Sequence, residues 1–218
     1  MSFGVKLKVW GDWACFTRPE MKVERVSYDV MTPSAARAII EAIYWKPAIR
    51  WIIDRIHVLN PIRFDNIRRN ELGVKLSERS VVQAMSDGHS AVEVFIEENR
   101  QQRAAMILRD VAYVIEAHFE ASTEDGENEG KHLDQFRRRL ENGRCHYQPY
   151  LGTREFSAFF EPISEIPKSV LKGEYDLGWI LYDMDFSNIK DPRPMFFRAV
   201  MKDGVIQIPH PDSKEVRR

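Results

Sequence analysis

The stretch VAYVIEAHFEASTEDGENEGKHLDQFRRRLENG, residues 111–143, reads as a strand, a loop and a helix in that order. Val111, Tyr113, Ile115, Ala117 and Phe119 fall on one side, with Glu116, His118 and Glu120 on the other. That is the period-two pattern of a half-buried strand. ASTEDGENEG, 121–130, is acidic, contains glycine and is too polar to pack, which predicts a loop. Leu133, Phe136 and Leu140 then recur at i, i+3 and i+7, one apolar stripe at helical period, and Asn142-Gly143 supplies the stop.

The flanking segments decide which plan this unit belongs to. VKLKVWGDWACF, 5–16, alternates like a strand with a break or bulge at Gly11. Thr32-Pro33 marks a helix start, threonine as cap and proline at the first helical position. SAARAIIEAIYW, 34–45, continues at helical spacing, and Pro47 ends it by pushing Lys46 out of helical geometry. AIRWIIDRIHVL, 48–59, is rich in β-branched and aromatic residues and predicts a strand whose alternation slips near Asp54-Arg55. Residues 66–103 carry the weakest pattern: SERSVVQAMSDG, 77–88, suggests a short helix ended by Gly88, and AVEVFIEE, 91–98, a strand. YLGTREFSAFF, 150–160, predicts another strand.

Strand, helix, strand, strand, helix, strand is an α+β chain on the βαββαβ, ferredoxin-like (RNA-recognition-like) plan. The remaining residues read as a small β-rich C-terminal part, with PMFFRAVMKDGVIQIPHP, 194–211, a hairpin around Asp203-Gly204. Pro162 and Pro167 flank the junction, giving expected domains 1–163 and 164–218.

The 218 residues are 44% hydrophobic and 30% charged, the balance of a globular protein with a sizeable core. With no run of about 18 uncharged apolar residues, no membrane span is expected, nor is a signal peptide. Cys15 and Cys145 are too few for a disulfide framework or a cysteine-rich zinc site, so a reducing cytoplasm is the expected location. A net charge of −1 argues against indiscriminate coating of nucleic acid. The charge is nevertheless segregated. Residues 116–129 hold six acidic side chains and no Lys or Arg, whereas 131–144 hold Lys131, Arg137, Arg138, Arg139 and Arg144 against Asp134 and Glu141. A second basic stretch holds Lys46, Arg50, Arg55, Arg63, Arg68 and Arg69. Solvated faces explain this as well as one basic surface on a near-neutral protein does.

Motifs for familiar chemistry are few. His118 with Glu116 and Glu120 offers ligand types at strand spacing, as any exposed strand does, and Cys145-His146 lacks two further partners; no metal site and no cofactor are expected. G-x-S-x-G, G-x-G-x-x-G and GK[ST] are all missing. The glycine of YLGTRE suits close backbone approach to a ligand, or equally a bulge. Lys131 and His132 sit in the first turn of a helix, where the dipole disfavours cations and welcomes a phosphate. Tyr44, closing AIIEAIYWKP, reads equally well as a capping aromatic.

Together, EAIYWKPAI (41–49), RQQRAAMILRDVAYVIEAHF (100–119), NEGKH (128–132) and YLGTREF (150–156) resemble the landmark segments of one family. It is the CRISPR-associated endoribonuclease of the Dvulg, or I-C, subtype, within the repeat-associated mysterious protein superfamily. The likeness runs from about Val5 to Pro211. It implies a ferredoxin-like domain with a small β-rich C-terminal part. It also implies metal-independent cleavage of the CRISPR precursor transcript at the 3′ base of the repeat hairpin. The product's 5′ handle stays bound, and the protein becomes a subunit of the type I-C surveillance complex beside its backbone and large subunits. The family's catalytic Tyr, Lys and His fall on Tyr44, Lys131 and His132, and its loop glycine on Gly152. Lys46, Arg137, Arg138, Arg139, Gly152 and Arg154 are the expected RNA-binding residues.

These residue types suit the chemistry. Cutting RNA without a metal uses its own 2′-hydroxyl, so the protein must help move protons and stabilise charge on phosphorus. Imidazole serves either proton transfer, and a lysine ammonium is a compact charge for the phosphorane. An ordinary phenol titrates near ~10, so use as a base at pH 7 costs about 4 kcal/mol. Tyr44 is therefore expected to orient, and His132 to carry the proton. Two rivals remain at this point: a non-catalytic subunit that only holds the 5′ handle, and a metal-dependent nuclease with weak duplex-DNA binding as a side activity.

Overall fold

A computed structural model describes residues 4–121 and 129–218. The chain forms two compact units, one of residues 1–65 with 106–218 and one of residues 66–105. The acidic loop expected at 121–130 lies almost wholly outside the described residues.

The larger unit is mixed α and β around an antiparallel sheet. Its strand path is β5-β1-β4-β2-β8-β7-β6; β3 (Phe64–Leu72), most of which belongs to the smaller unit, pairs with β4 off that path. Strand β1 (Gly4–Ala14) pairs antiparallel with both β4 (Arg100–Ala121) and β5 (Phe159–Pro162). Val5, Leu7 and Val9 of β1 are buried and Lys6 is exposed, as period two requires. Gly11 does not break the strand. Its pairing runs on through Gly11↔Val111 to Ala14↔Leu108.

Helix α1 (Pro33–Ile43) begins where the sequence says it should. Thr32 Oγ1 accepts from the Ala35 N–H at 3.3 Å and Pro33 opens the first turn. Its buried face, Ala36, Ile39, Ile40 and Ile43, packs on β2 (Ile49–Val58) and β6 (Glu174–Asp185). Strand β2 shifts register between Ile53 and Arg55, the phase slip its alternation predicted. Helix α4 (Glu129–Glu141) packs on β5 and α1 and stops at Gly143, whose φ is +61°.

The C-terminal hairpin joins β7 (Arg193–Lys202) to β8 (Val205–Gln207) through Asp203 and Gly204, with φ of 50° and 79°. Two successive positive φ values are what a tight two-residue hairpin turn demands. Since β8 pairs with β2, residues 164–218 continue the same sheet.

The smaller unit holds α2 (Glu78–Asp87), closed as expected by left-handed Gly88, and α3 (Ile96–Asn99). AVEVFIEE is thus not a strand: 91–95 carry no regular structure and Ile96 opens α3. Two acidic residues in the first turn of α3 favour the helical end, outweighing the β-branched Val92 and Val94. YLGTREFSAFF is also corrected. Tyr150 and Ser157 form an isolated bridge across a turn, and only Phe159–Pro162 is strand. A left-handed Gly152 folds the segment back on itself.

Candidate active site

Helix α1 ends abruptly. Tyr44, its cap, is extended at φ −152° and ψ 118°, and the last turn contains no basic residue of its own. Carbonyls at such an end need donors from elsewhere. Four are supplied. Tyr44 N–H donates to Ile40 O at 2.9 Å and His146 N–H to Ala42 O at 2.6 Å. Arg139 NH1 donates to Ile43 O at 2.9 Å, and the Trp51 indole N–H to Tyr44 O at 2.9 Å. Strand β2, helix α4 and the segment after α4 therefore all converge on the carbonyls of Ala42, Ile43 and Tyr44 at the end of α1.

The phenol of Tyr44 points to α4. Its oxygen lies 2.8 Å from His132 Nδ1, and the two residues are only 2% and 3% exposed. The pair sits among Phe119, whose ring is 6.0 Å from His132, and Trp51, 5.3 Å from Phe119 and 5.1 Å from Phe136. Lys131 is exposed, but His132 takes the buried stripe with Phe136 and Leu140, displacing the half-buried Leu133. The hydrogen bond runs either way. The phenol donates to an unprotonated Nδ1, or a protonated Nδ1 donates to the phenol oxygen. A pair that accepts both arrangements can accept or release a proton.

Lys46, two residues beyond Tyr44, is exposed, as are Arg137 and Arg138. Arg139 is half-buried, with its guanidinium carbon 5.8 Å from the Tyr44 ring centre. Arg138, Arg139, Arg144, Gln135 and His146 line a trough of about 760 Å³. Gly152 has φ +87°, and a Cβ there would lie 2.0 Å from Cys15 O, so its close approach is to the protein's own backbone. Arg154 is exposed and shares a pocket of about 560 Å³ with Tyr147, Gln148, Tyr150 and Ser157. Burial first, then the neighbouring Tyr150 and Glu41, push the Tyr147 phenol above its ordinary range.

Sequence reasoning did not single out Trp51, and it weighed Arg144 only as one of a basic stretch and His146 as a metal ligand. Trp51 carried a signal, being the one indole in an aliphatic strand, whereas a backbone N–H such as that of His146 leaves none. For metals, the residues that looked like ligands already face partners within the protein. His118 faces Asp54 at 2.8 Å, Glu116 faces His57 at 2.6 Å, and Glu120 faces His210 at 3.2 Å. Among the described residues no three His, Cys, Asp or Glu side chains converge.

A buried phenol–imidazole pair thus joins the cap of α1 to α4 in a mixed α and β protein, and a basic trough runs along α4 and the segment after it. Residues 4–209 match the CRISPR-associated protein (Cas_Cas5) family, and the chain belongs to it. It is 53% identical, over the full length of both, to a protein of Mannheimia succiniciproducens named CRISPR pre-crRNA endoribonuclease Cas5d. A protein of the same name from Thermus thermophilus is 40% identical, with 98% of this chain and 95% of that one covered. Among solved structures, one described as a CRISPR-associated protein aligns with a TM-score of 0.70 at 25% identity. That alignment covers 99% of this chain and 96% of the other.

Proposed function

We propose that this chain is a pre-crRNA endoribonuclease that cuts CRISPR precursor RNA at the 3′ base of the repeat hairpin. Its two full-length relatives bear that name. The observation that carries the mechanism is the 2.8 Å bond between Tyr44 at the end of α1 and His132 on α4, with Lys131 the residue before His132 on that helix. The RNA 2′-hydroxyl attacks the adjacent phosphorus. His132 moves the proton, Tyr44 orients the imidazole and the hydroxyl, and the Lys131 ammonium faces the charge that builds on the phosphorane. The 5′-oxygen leaves protonated, and the other product ends in a 2′,3′-cyclic phosphate. No step needs a metal or a cofactor.

Lys46, Arg137, Arg138 and Arg154 are exposed cations for the RNA backbone, Arg139 lies in the same trough, and Gly152 shapes the loop beside Arg154. The strand path β5-β1-β4-β2, with α1 and α4 as the two crossovers, supports a ferredoxin-like plan for residues 1–163 and a β-rich accessory role for 164–218. The protein keeps the 5′ handle and joins the backbone and large subunits of a cytoplasmic type I-C surveillance complex. Weak duplex-DNA binding is a side property of the same basic surface. No helix among the described residues is long and apolar enough to cross a membrane.

The test is to incubate the purified protein alone with its repeat hairpin and identify the ends. One cut at the hairpin's 3′ base, leaving a cyclic phosphate and a 5′-hydroxyl, is the expected result. Tight binding of RNA that stays intact would leave only the handle-holding role.

A further inference from the structure

We infer that Arg139 is a positioning residue, which sets the Tyr44–His132 geometry rather than gripping RNA as its neighbours Arg137 and Arg138 do. The three arginines are adjacent in sequence yet differently placed. Arg137 and Arg138 are exposed, whereas Arg139 is half-buried and bonded. Seven residues separate Arg139 from His132, two turns of α4, so both project from nearly the same face. Its NH1 donates to the carbonyl of Ile43, the last residue of α1 and the one before Tyr44.

That bond has a physical purpose. The C-terminal end of a helix carries partial negative charge, and α1 supplies no cation of its own in its last turn. Arg139 provides that cation from the neighbouring helix. The guanidinium then lies 5.8 Å from the Tyr44 ring centre, against the face of the phenol. One side chain of α4 thus fixes where α1 stops, while a second, His132, receives the phenol that the stop presents. Trp51 holds the next carbonyl from the other side. A lysine reaches the carbonyl with one point charge but cannot hold it and lie flat against the ring.

The functional arm of this inference rests on the endoribonuclease reading, so the test has two independent readouts. The first is single-turnover cleavage of the repeat hairpin at saturating protein, with affinity measured separately on a 2′-deoxy hairpin. Arg139→Ala should slow cleavage about 10- to 100-fold, the scale of a small misplacement of reacting groups. Its affinity should fall less than about 3-fold, and Arg139→Lys should recover part of the rate. Arg138→Ala should instead weaken binding and its salt dependence.

The second readout needs no catalysis. The ring nitrogen resonances of His132 report its bond to Tyr44. They should move in Arg139→Ala and in Tyr44→Phe, and stay in place in Arg138→Ala. A cooperative melt of each variant separates loss of fold from loss of position. If Arg139→Ala weakens RNA binding while the saturated rate and the His132 resonances stay put, Arg139 is an ordinary phosphate contact and the inference falls. If wild-type protein cuts nothing, the nuclease reading fails and the resonances alone decide for or against Arg139.

Discussion

Tyr44 and His132 hold each other in a space where water has little access, so changing either one alters both. Removing one partner of a buried hydrogen bond costs about 1–3 kcal/mol in stability. The two substitutions differ in chemistry. His132→Ala removes the whole imidazole, whereas Tyr44→Phe removes a hydroxyl and keeps the ring in its aromatic setting. His132→Ala should therefore lose more of the single-turnover rate than Tyr44→Phe, both compared at saturating protein. The reverse ranking would give the phenol the larger part in proton transfer. Lys131 is legible from sequence only as a misplaced cation. Its neighbour's burial was not, because an imidazole at the edge of an apolar stripe reads as polar. The stripe in fact runs His132, Phe136, Leu140 at steps of four.

At the scale of elements, local chemistry was legible wherever one residue type has one structural use. Thr32-Pro33 started α1, Gly88 closed α2, Asp203-Gly204 made the hairpin turn, and the slip at Asp54 became a register shift in β2. Elements decided by distant partners were not. The strand β4 runs 22 residues, and its first half pairs with β3, a segment whose polar alternation looked like no element at all. Tertiary pairing there overrides weak intrinsic preference.

The turn at 150–157 shows the same limit, because its glycine serves contact with the residue just after β1, 137 positions earlier: Gly152 meets Cys15. Leu151 O also accepts from Cys15 N–H at 3.0 Å, which fixes the approach. Gly152→Ala has to place a methyl where a carbonyl oxygen lies, at a backbone angle that side chains avoid. It should destabilise the protein by more than about 2 kcal/mol, read as a lower denaturation midpoint. An unchanged midpoint would mean the turn yields, and that Gly152 is kept for its RNA instead.

At the scale of the whole molecule, a near-neutral protein places a run of cations along α4 and the segment after it, near the buried Tyr44–His132 pair. The arrangement separates holding RNA from cutting it, and a single atom of the substrate tests that separation. If the 2′-hydroxyl is the nucleophile, replacing it with hydrogen at the scissile nucleotide removes the attacking group and leaves every phosphate in place. Binding should persist, since one lost hydroxyl contact costs about 1 kcal/mol net. Cleavage should vanish. If His132 rather than a metal-bound water handles the proton, chelator should leave the reaction on ordinary RNA unchanged. Electrophoresis of end-labelled hairpins, with and without EDTA, measures all of this in one series. A 2′-deoxy hairpin cut at the ordinary rate, or complete inhibition by EDTA, would remove the roles given to Tyr44, Lys131 and His132 together.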